Sequence, residues 1–213
     1  GAVELTATDG LTAATESASY SRAEGILRAP GPATFSKGLM SGSSVGLTYD
    51  DPRDVMWLLD KAVTRLAPAS TGEDGTEISS GAATMARNDH YVRYERGFTL
   101  VSGARTFTSD EATAYLNEDG TRVDSLDMRG HSRVTGLGEG PGALRSMEAD
   151  DISLEFTEDG KAVTGATLSS AGKGLASIDL GEAAANTRRV SGRWIDIRLA
   201  PDGATVNALT VRD

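Results

Sequence analysis

Three stretches of the chain, residues 112–123, 152–163 and 195–206, align without gaps on one plan of apolar and polar positions. Before an acidic turn, Ala112, Ala114 and Leu116, then Ile152, Leu154 and Phe156, then Ile195, Ile197 and Leu199 hold alternate places. A period of two puts these side chains on one face of a pleated strand, so each run predicts a half-buried strand. Beyond the turn the apolar residues resume as Val123, Leu126 and Met128, as Val163, Ala166 and Leu168, and as Val206, Leu209 and Val211. The three-residue step in each set predicts a β-bulge. The turns carry Asp119-Gly120, Asp159-Gly160 and Asp202-Gly203, and glycine accepts the positive φ that a tight hairpin demands.

Three earlier copies have a shorter turn: Ala18 to Tyr20 leading to Ile26, Val45 to Tyr49 leading to Val55, and Ala83 to Met85 leading to Tyr91. The chain is therefore expected to be all-β, residues 1–213 forming one elongated stack of six hairpin units, with Gly/Pro/Ser-rich joints at 68–75 and 136–142. Such units stack because a lone hairpin cannot bury its apolar face. One segment conflicts: across 54–67, Val55, Leu58, Leu59, Ala62 and Leu66 lie on a helical face behind Asp51-Pro52, a good helix start. The repeat register asks for a strand there, and tertiary context commonly overrides local spacing, so strand is preferred.

Charge narrows the partners. The net charge of −10 argues against nucleic acid, whose phosphates require clustered Lys and Arg. Apolar residues at 38%, together with 25 glycines, are enough for a folded core rather than a disordered chain. No run approaches the roughly 18 apolar residues of a membrane-spanning helix. The absence of cysteine rules out disulfides, zinc-thiolate sites and thiol nucleophiles.

Candidates for chemistry are sparse, and neither catalysis nor a cofactor or metal is expected. His90, beside Asn88-Asp89, and His131, in an alternating polar strand, are expected on the surface, without the spacing of a metal or hydrolase motif. Asp50-Asp51, Glu118-Asp119, Asp150-Asp151 and Glu158-Asp159 invite a calcium reading, but none fits a calcium loop and turn chemistry accounts for them. Arg188, Arg189, Arg193 and Arg198 form a basic cluster, expected as a solvated face that could also meet lipid phosphate or an acidic edge.

The repeated unit, an alternating strand, an Asp-Gly turn and then Val-x-x-Leu-x-Val, often followed by Gly-x-x-x-Val as at 130–134, resembles the OstA-like domain of the LptA and LptC family of lipopolysaccharide transport. Residues 115–120, 147–154 and 194–206 look most like its LptC-like members, and the resemblance covers essentially the whole chain. It implies an open, twisted β-jelly-roll whose two sheets splay around an apolar groove for the acyl chains of lipopolysaccharide or a related lipid. It also implies a periplasmic protein bridging inner- and outer-membrane components, tethered to the inner membrane by a segment outside this chain or else soluble. The implied partners are other OstA-like transport proteins, met through edge strands at Leu5, Val206, Leu209 and Val211, with ABC transporter components as further candidates. The chain ends directly after a strand, where the pattern would continue with another, so this edge is expected to be truncated or left open for a partner.

The inward set that would line a groove is Tyr20, Leu47, Tyr49, Met85, Leu116, Leu154, Phe156, Ile195, Ile197 and Leu199. The same residues would serve equally as the closed core of an ordinary sandwich. Burying a methylene contributes about 0.8 kcal/mol whereas an exposed ion pair contributes about 0–1, so a negative protein can still hold an anionic lipid whose phosphates stay in water. The alternative function is an envelope β-sandwich module that recognises glycan or protein through its loops. Clustered surface aromatics would mark it, but Trp57 and Trp194 fall in different units of the repeat.

Overall fold

The computed structural model describes residues 3–6, 10–68, 74–171, 174–181 and 187–213, and the side chain of Leu5 also lies outside the described set. Among the described residues the chain forms seventeen strands and no helix. It packs as two compact units, Gly1–Gly103 and Ala104–Asp213. Both predicted joints thus fall inside a unit, and residues 69–73 of the first lie outside the described residues.

Unit 1 contains β1 (Val3–Thr6), β2 (Thr12–Thr15), β3 (Ser19–Ser21), β4 (Ile26–Lys37), β5 (Met40–Asp50), β6 (Val55–Leu66), β7 (Thr76–Ala86) and β8 (Tyr91–Ser102). From β4 to β8 these are long antiparallel strands paired in sequence, and every pairing shifts register near its midpoint: at Ala29/Pro32, Ser43/Val45, Leu58/Ala62 and Ser80/Ala82. A bulge bends its strand. A line of bulges across four neighbouring pairings therefore folds the sheet along one corner into two arms. The first half of β4 pairs with β3 and the second half with β2, which in turn carries β1.

The corner explains why residues 54–67 look helical. The register of β6 shifts between Leu58 and Ala62, where Lys61 takes a φ of 49°, and both flanking apolar residues are buried. Leu59 and Leu66, which complete the helical face on paper, are exposed. Twelve residues held by ladders to β5 and β7 outweigh local spacing.

A recurrent hydrogen bond marks the corners. The hydroxyl of Ser44 donates to the carbonyl of Gly46 at 3.0 Å, Ser80 to Ala82 at 2.8 Å and Ser109 to Glu111 at 2.7 Å. In each, the side chain reaches two residues ahead to a carbonyl where the strand bends. Arg96, itself at a φ of 63°, lays its guanidinium over the carbonyls of Leu59 and Gly81 at the corners of β6 and β7.

Unit 2 contains β9 (Arg105–Ser109), β10 (Glu111–Leu116), β11 (Val123–Thr135), β12 (Leu144–Phe156), β13 (Val163–Ser169), β14 (Ala176–Gly181), β15 (Thr187–Gly192), β16 (Trp194–Leu199) and β17 (Val206–Arg212). It repeats the plan with the bend achieved differently. The strands β11 and β12 run through the corner, while the other strands are separated by it, as β9 is from β10 at Asp110. One arm is β10, β11, β12, β13, β16 and β17; the other is β9, β11, β12, β14 and β15. The predicted bulges beyond the Asp-Gly turns are present, at Tyr115/Leu116, Glu155/Phe156 and Arg198/Leu199. The architecture is an all-β jelly-roll of repeated hairpins.

The close fit of each arm can be tested at Gly42, where an added Cβ would overlap the ring of buried Phe35 and the carbonyl of Val63. Gly42→Ala is expected to destabilise the protein by about 1–3 kcal/mol. Combining it with Phe35→Leu should restore part of the loss in thermal denaturation, and a single variant as stable as the parent would contradict this packing.

Candidate functional site

In unit 2, Ala114, Leu126, Leu154, Ala166, Ile197 and Leu209 stand opposite one another in register across the six strands of the first arm. Ala112, Met128, Ile152, Leu168, Ile195 and Val211 make a parallel row. Between them, on the opposite face, runs Thr113, Asp127, Ser153, Thr167, Asp196 and Thr210. Strand alternation thus sorts each arm into an apolar inner face and a polar outer one. From the second arm, Phe107, Val134, Met147 and Ile178 are buried on the inner side.

Unit 1 has the same two-row order. Ala29, Leu47, Leu58, Ala83 and Tyr94 are in register and buried. Nearer the turns lies Tyr20, Leu27, Tyr49, Met56, Met85 and Val92. The rings of Tyr94 and Phe98, one on each side of the corner in β8, have centroids 5.3 Å apart. Burial pushes the Tyr94 hydroxyl pKa upward, so this phenol stays neutral.

The sequence-predicted lining separates into two groups. Leu47, Leu154, Ile195, Ile197 and Leu199 are buried in closed packing. Tyr49, Met85, Leu116 and Phe156 are half-exposed near the turns, and Tyr20 is 57% exposed at the end of its row. Large inner residues that spacing did not single out are Met56, Tyr94, Phe98, Leu144, Met147 and Ile178. Most flank a corner or sit on the second arm, where bulges interrupt the alternation. Counting outward from the corner serines would have recovered part of this set.

Among the edge residues, Val206, Leu209 and Val211 lie on β17, whose ladder among the described residues is with β16. No charged residue occurs from Val206 to Val211, and Arg212 beyond them stacks on Trp194 at 4.5 Å. Leu5 is on β1, opposite Ala13 of β2. By contrast β15, paired to β14, carries Arg188 and Arg189, the kind of charged edge that resists further pairing.

Most charge is carried outside, although Asp50 at the end of β5 is buried and accepts the Arg53 amide at 3.1 Å. Arg189 grips Asp179 at 2.8 and 2.9 Å, and this contact, aided by Ser146, holds the Asp179 carboxyl below the usual carboxylate range. Arg198 pairs with Glu155 at 2.5 Å. The expected basic cluster is thus split, with Arg189 and Arg198 each engaged by a carboxylate on a neighbouring strand. Near the turns of unit 1, Tyr49 donates to Asp54 at 3.0 Å, and Arg87 pairs with the same carboxylate at 3.1 Å. Burial and then the Asp54 contact push the Tyr49 pKa up to about 12.

His131 is exposed as expected, at the corner of β11 with a φ of 48°, and its Nδ1 lies 2.8 Å from the Asp110 carboxylate, which raises its pKa. His90 departs from expectation: it is half-buried at a φ of 55°, and its Nδ1 is enclosed without a hydrogen-bond partner. The compact turn of residues 87–90 folds the ring against the protein. Asp150-Asp151 is not a turn but lies at the corner of β12, where Asp151 receives Arg129 at 3.1 Å. Asp159 and Asp202 accept backbone amides of their own turns. Among the described residues no three metal-ligating side chains converge.

No protein-family model and no curated protein matches the chain. Among solved structures, one similar chain is LptH, the LptA-homologous periplasmic component of the lipopolysaccharide transport device of Pseudomonas aeruginosa. The match has a TM-score of 0.45 and 14% identity, and covers 50% of this chain and 76% of that one.

Proposed function

We propose that this chain is a non-catalytic periplasmic carrier of lipopolysaccharide or a related lipid. It holds acyl chains against the inner faces of its bent sheets and joins related proteins edge to edge, as a bridge between inner- and outer-membrane components. The observation that carries the reading is the in-register apolar row of unit 2, which runs through six strands to an uncharged edge. A row that reaches an edge still apolar is prolonged by whichever strand adds there, and main-chain hydrogen bonds supply the affinity of such an addition. The OstA-like plan of the repeats supports the same assignment. An inner-membrane tether and contact with ABC transporter components belong to it as proposals.

A second reading has an observation in its favour. Leu154, Ile195 and Ile197 have no exposed surface, as in the closed core of a sandwich that binds glycan or protein through its loops. A photoreactive residue at Leu116 or Phe156, both half-exposed near the turns, distinguishes the two. Lipopolysaccharide is expected to crosslink at these positions and at Ile197, suppressed by competing lipid, and not at Thr113 on the outer row. Crosslinks at none of them would favour the closed module.

Edge addition makes a separate prediction. The chain is expected to self-associate, and proline at Leu209, which removes a backbone donor from β17, should abolish association in sedimentation while leaving most of the fold intact. An unchanged oligomer would refute the role of this edge.

A further inference from the structure

Unit 2 is shut where an acyl chain would enter. Its two arms diverge from the corner, and the free ends of the first arm are the turns at 117–122, 157–162 and 200–205. Opposite them, at the end of the second arm, a strap of residues 136–143 connects β11 to β12. Ala143 and Thr205 form an isolated antiparallel bridge between strap and turn. The flanking bonds are Leu144 N–H to the Ala204 carbonyl at 2.8 Å and Val206 N–H to the Gly142 carbonyl at 3.4 Å. A further tie runs from Arg105 to the Lys161 carbonyl at 3.3 Å.

The strap is built to lie flat and to plug. Glycine occupies 136, 138, 140 and 142, with φ of 75°, 97° and 77° at the first, third and fourth. A Cβ on Gly138 would come within 2.6 Å of the Ala204 side chain, so the strap rests directly on the turn. Leu137 is the large apolar residue of the strap and is 7% exposed. The fully buried inner residues of unit 2 include Leu144, Met147, Leu154 and Ile197. Unit 1 differs: among the described residues the backbone bonds of its turns stay within one arm, and Leu27, Tyr49 and Met85 are half-exposed at that end.

We propose that residues 136–143 are a latch on the apolar interior of unit 2, fastened by the Ala143–Thr205 bridge and the Leu137 plug, which releases to admit an acyl chain. The proposal rests on the acyl-carrier reading of the preceding subsection. Nothing covalent holds the closure, and on parting from the turn the end of the strap stays on the second arm, through Gly142 N–H to the Gly181 carbonyl and Gly181 N–H to the Ala143 carbonyl, both at 2.8 Å. The glycines supply the backbone freedom for that motion without disturbing β11 or β12.

The chain has no cysteine, so a pair can be introduced cleanly. Ala143 and Thr205 form a non-hydrogen-bonded pair, whose Cα atoms in such a ladder lie about 4.5 Å apart, within the span of a disulfide. The Ala143→Cys/Thr205→Cys protein is incubated oxidised and reduced with a diazirine-bearing palmitate, and crosslinked peptides are mapped by mass spectrometry. Crosslinks to peptides of β11, β12 and β16 should be lost on oxidation and return on reduction, while those to unit 1 persist. Leu137→Ser in the parent chain should raise unit 2 labelling, which tests the latch even where the cysteine variant folds poorly. Equal unit 2 labelling in both redox states, or labelling of unit 1 alone throughout, would overturn the latch and leave acyl binding standing. Absence of labelling in both units of the parent would overturn acyl binding and the latch together.

Discussion

The structure depends on one constraint: a strand of eleven to thirteen residues must bend at its middle so that the apolar faces of its two halves meet. A straight sheet of such strands would leave one apolar face bare. Each register shift spends a residue of alternation to turn the strand, and the ladder is broken locally. The carbonyls freed from the ladder are met by neighbours, through Ser44, Ser80 and Ser109 and through the guanidinium of Arg96, and that of Gly46 is buried. A buried carbonyl left without a donor costs about 1–3 kcal/mol, comparable with what a single inner leucine contributes, so the corners require their hydroxyls as much as the arms require their apolar rows.

From that bend follow the two surfaces on which a carrier function would rest. The inner surface carries apolar register rows such as that of Leu126, Leu154 and Ile197, and cross-strand ion pairs such as Arg189 with Asp179 lie outside them. Exposed pairs of this kind contribute about 0–1 kcal/mol. An acyl chain entering between the arms gains about 0.8 kcal/mol per methylene buried, so a dozen methylenes far outweigh the repulsion of a headgroup phosphate left in water. The second surface is β17, whose ladder among the described residues is with β16 and whose first residue, Val206, is bonded to Gly142. Its neutral edge contrasts with the arginines of β15, and the two edges are suited to opposite outcomes, addition and refusal.

Much of this was legible in the alternation of apolar residues. The inner rows at Leu154 and Ile197, the bulges beyond the Asp-Gly turns and the uncharged edge at Val206 to Val211 all follow from period two and turn chemistry. Residues 54–67 were harder to read, because a corner between Leu58 and Ala62 shifts the register and mimics the spacing of a helix. The second arm was missed for the same reason. Met147 and Ile178 face inward across a pairing that joins β12 to β14, and no local pattern announces that β12 changes partners at its bend. Burial of Leu47, Leu154 and Ile197 rather than their exposure in a groove also lay beyond the pattern, since the alternation that places a side chain inward is the same whether the arms stand apart or together.

The central claim, that the inner faces open to apolar cargo, is tested most directly by the five methionines, observed through their ¹³C-methyl resonances. Met56, Met128 and Met147 are buried, whereas Met40 and Met85 are half-exposed. A spin-labelled stearic acid is expected to broaden Met56, Met128 and Met147 along with Met85, while a hydrophilic paramagnetic chelate leaves those three sharp. Broadening by the fatty acid confined to Met40 and Met85, matching the chelate, would mean that the arms stay closed and that the interior is a core and nothing more.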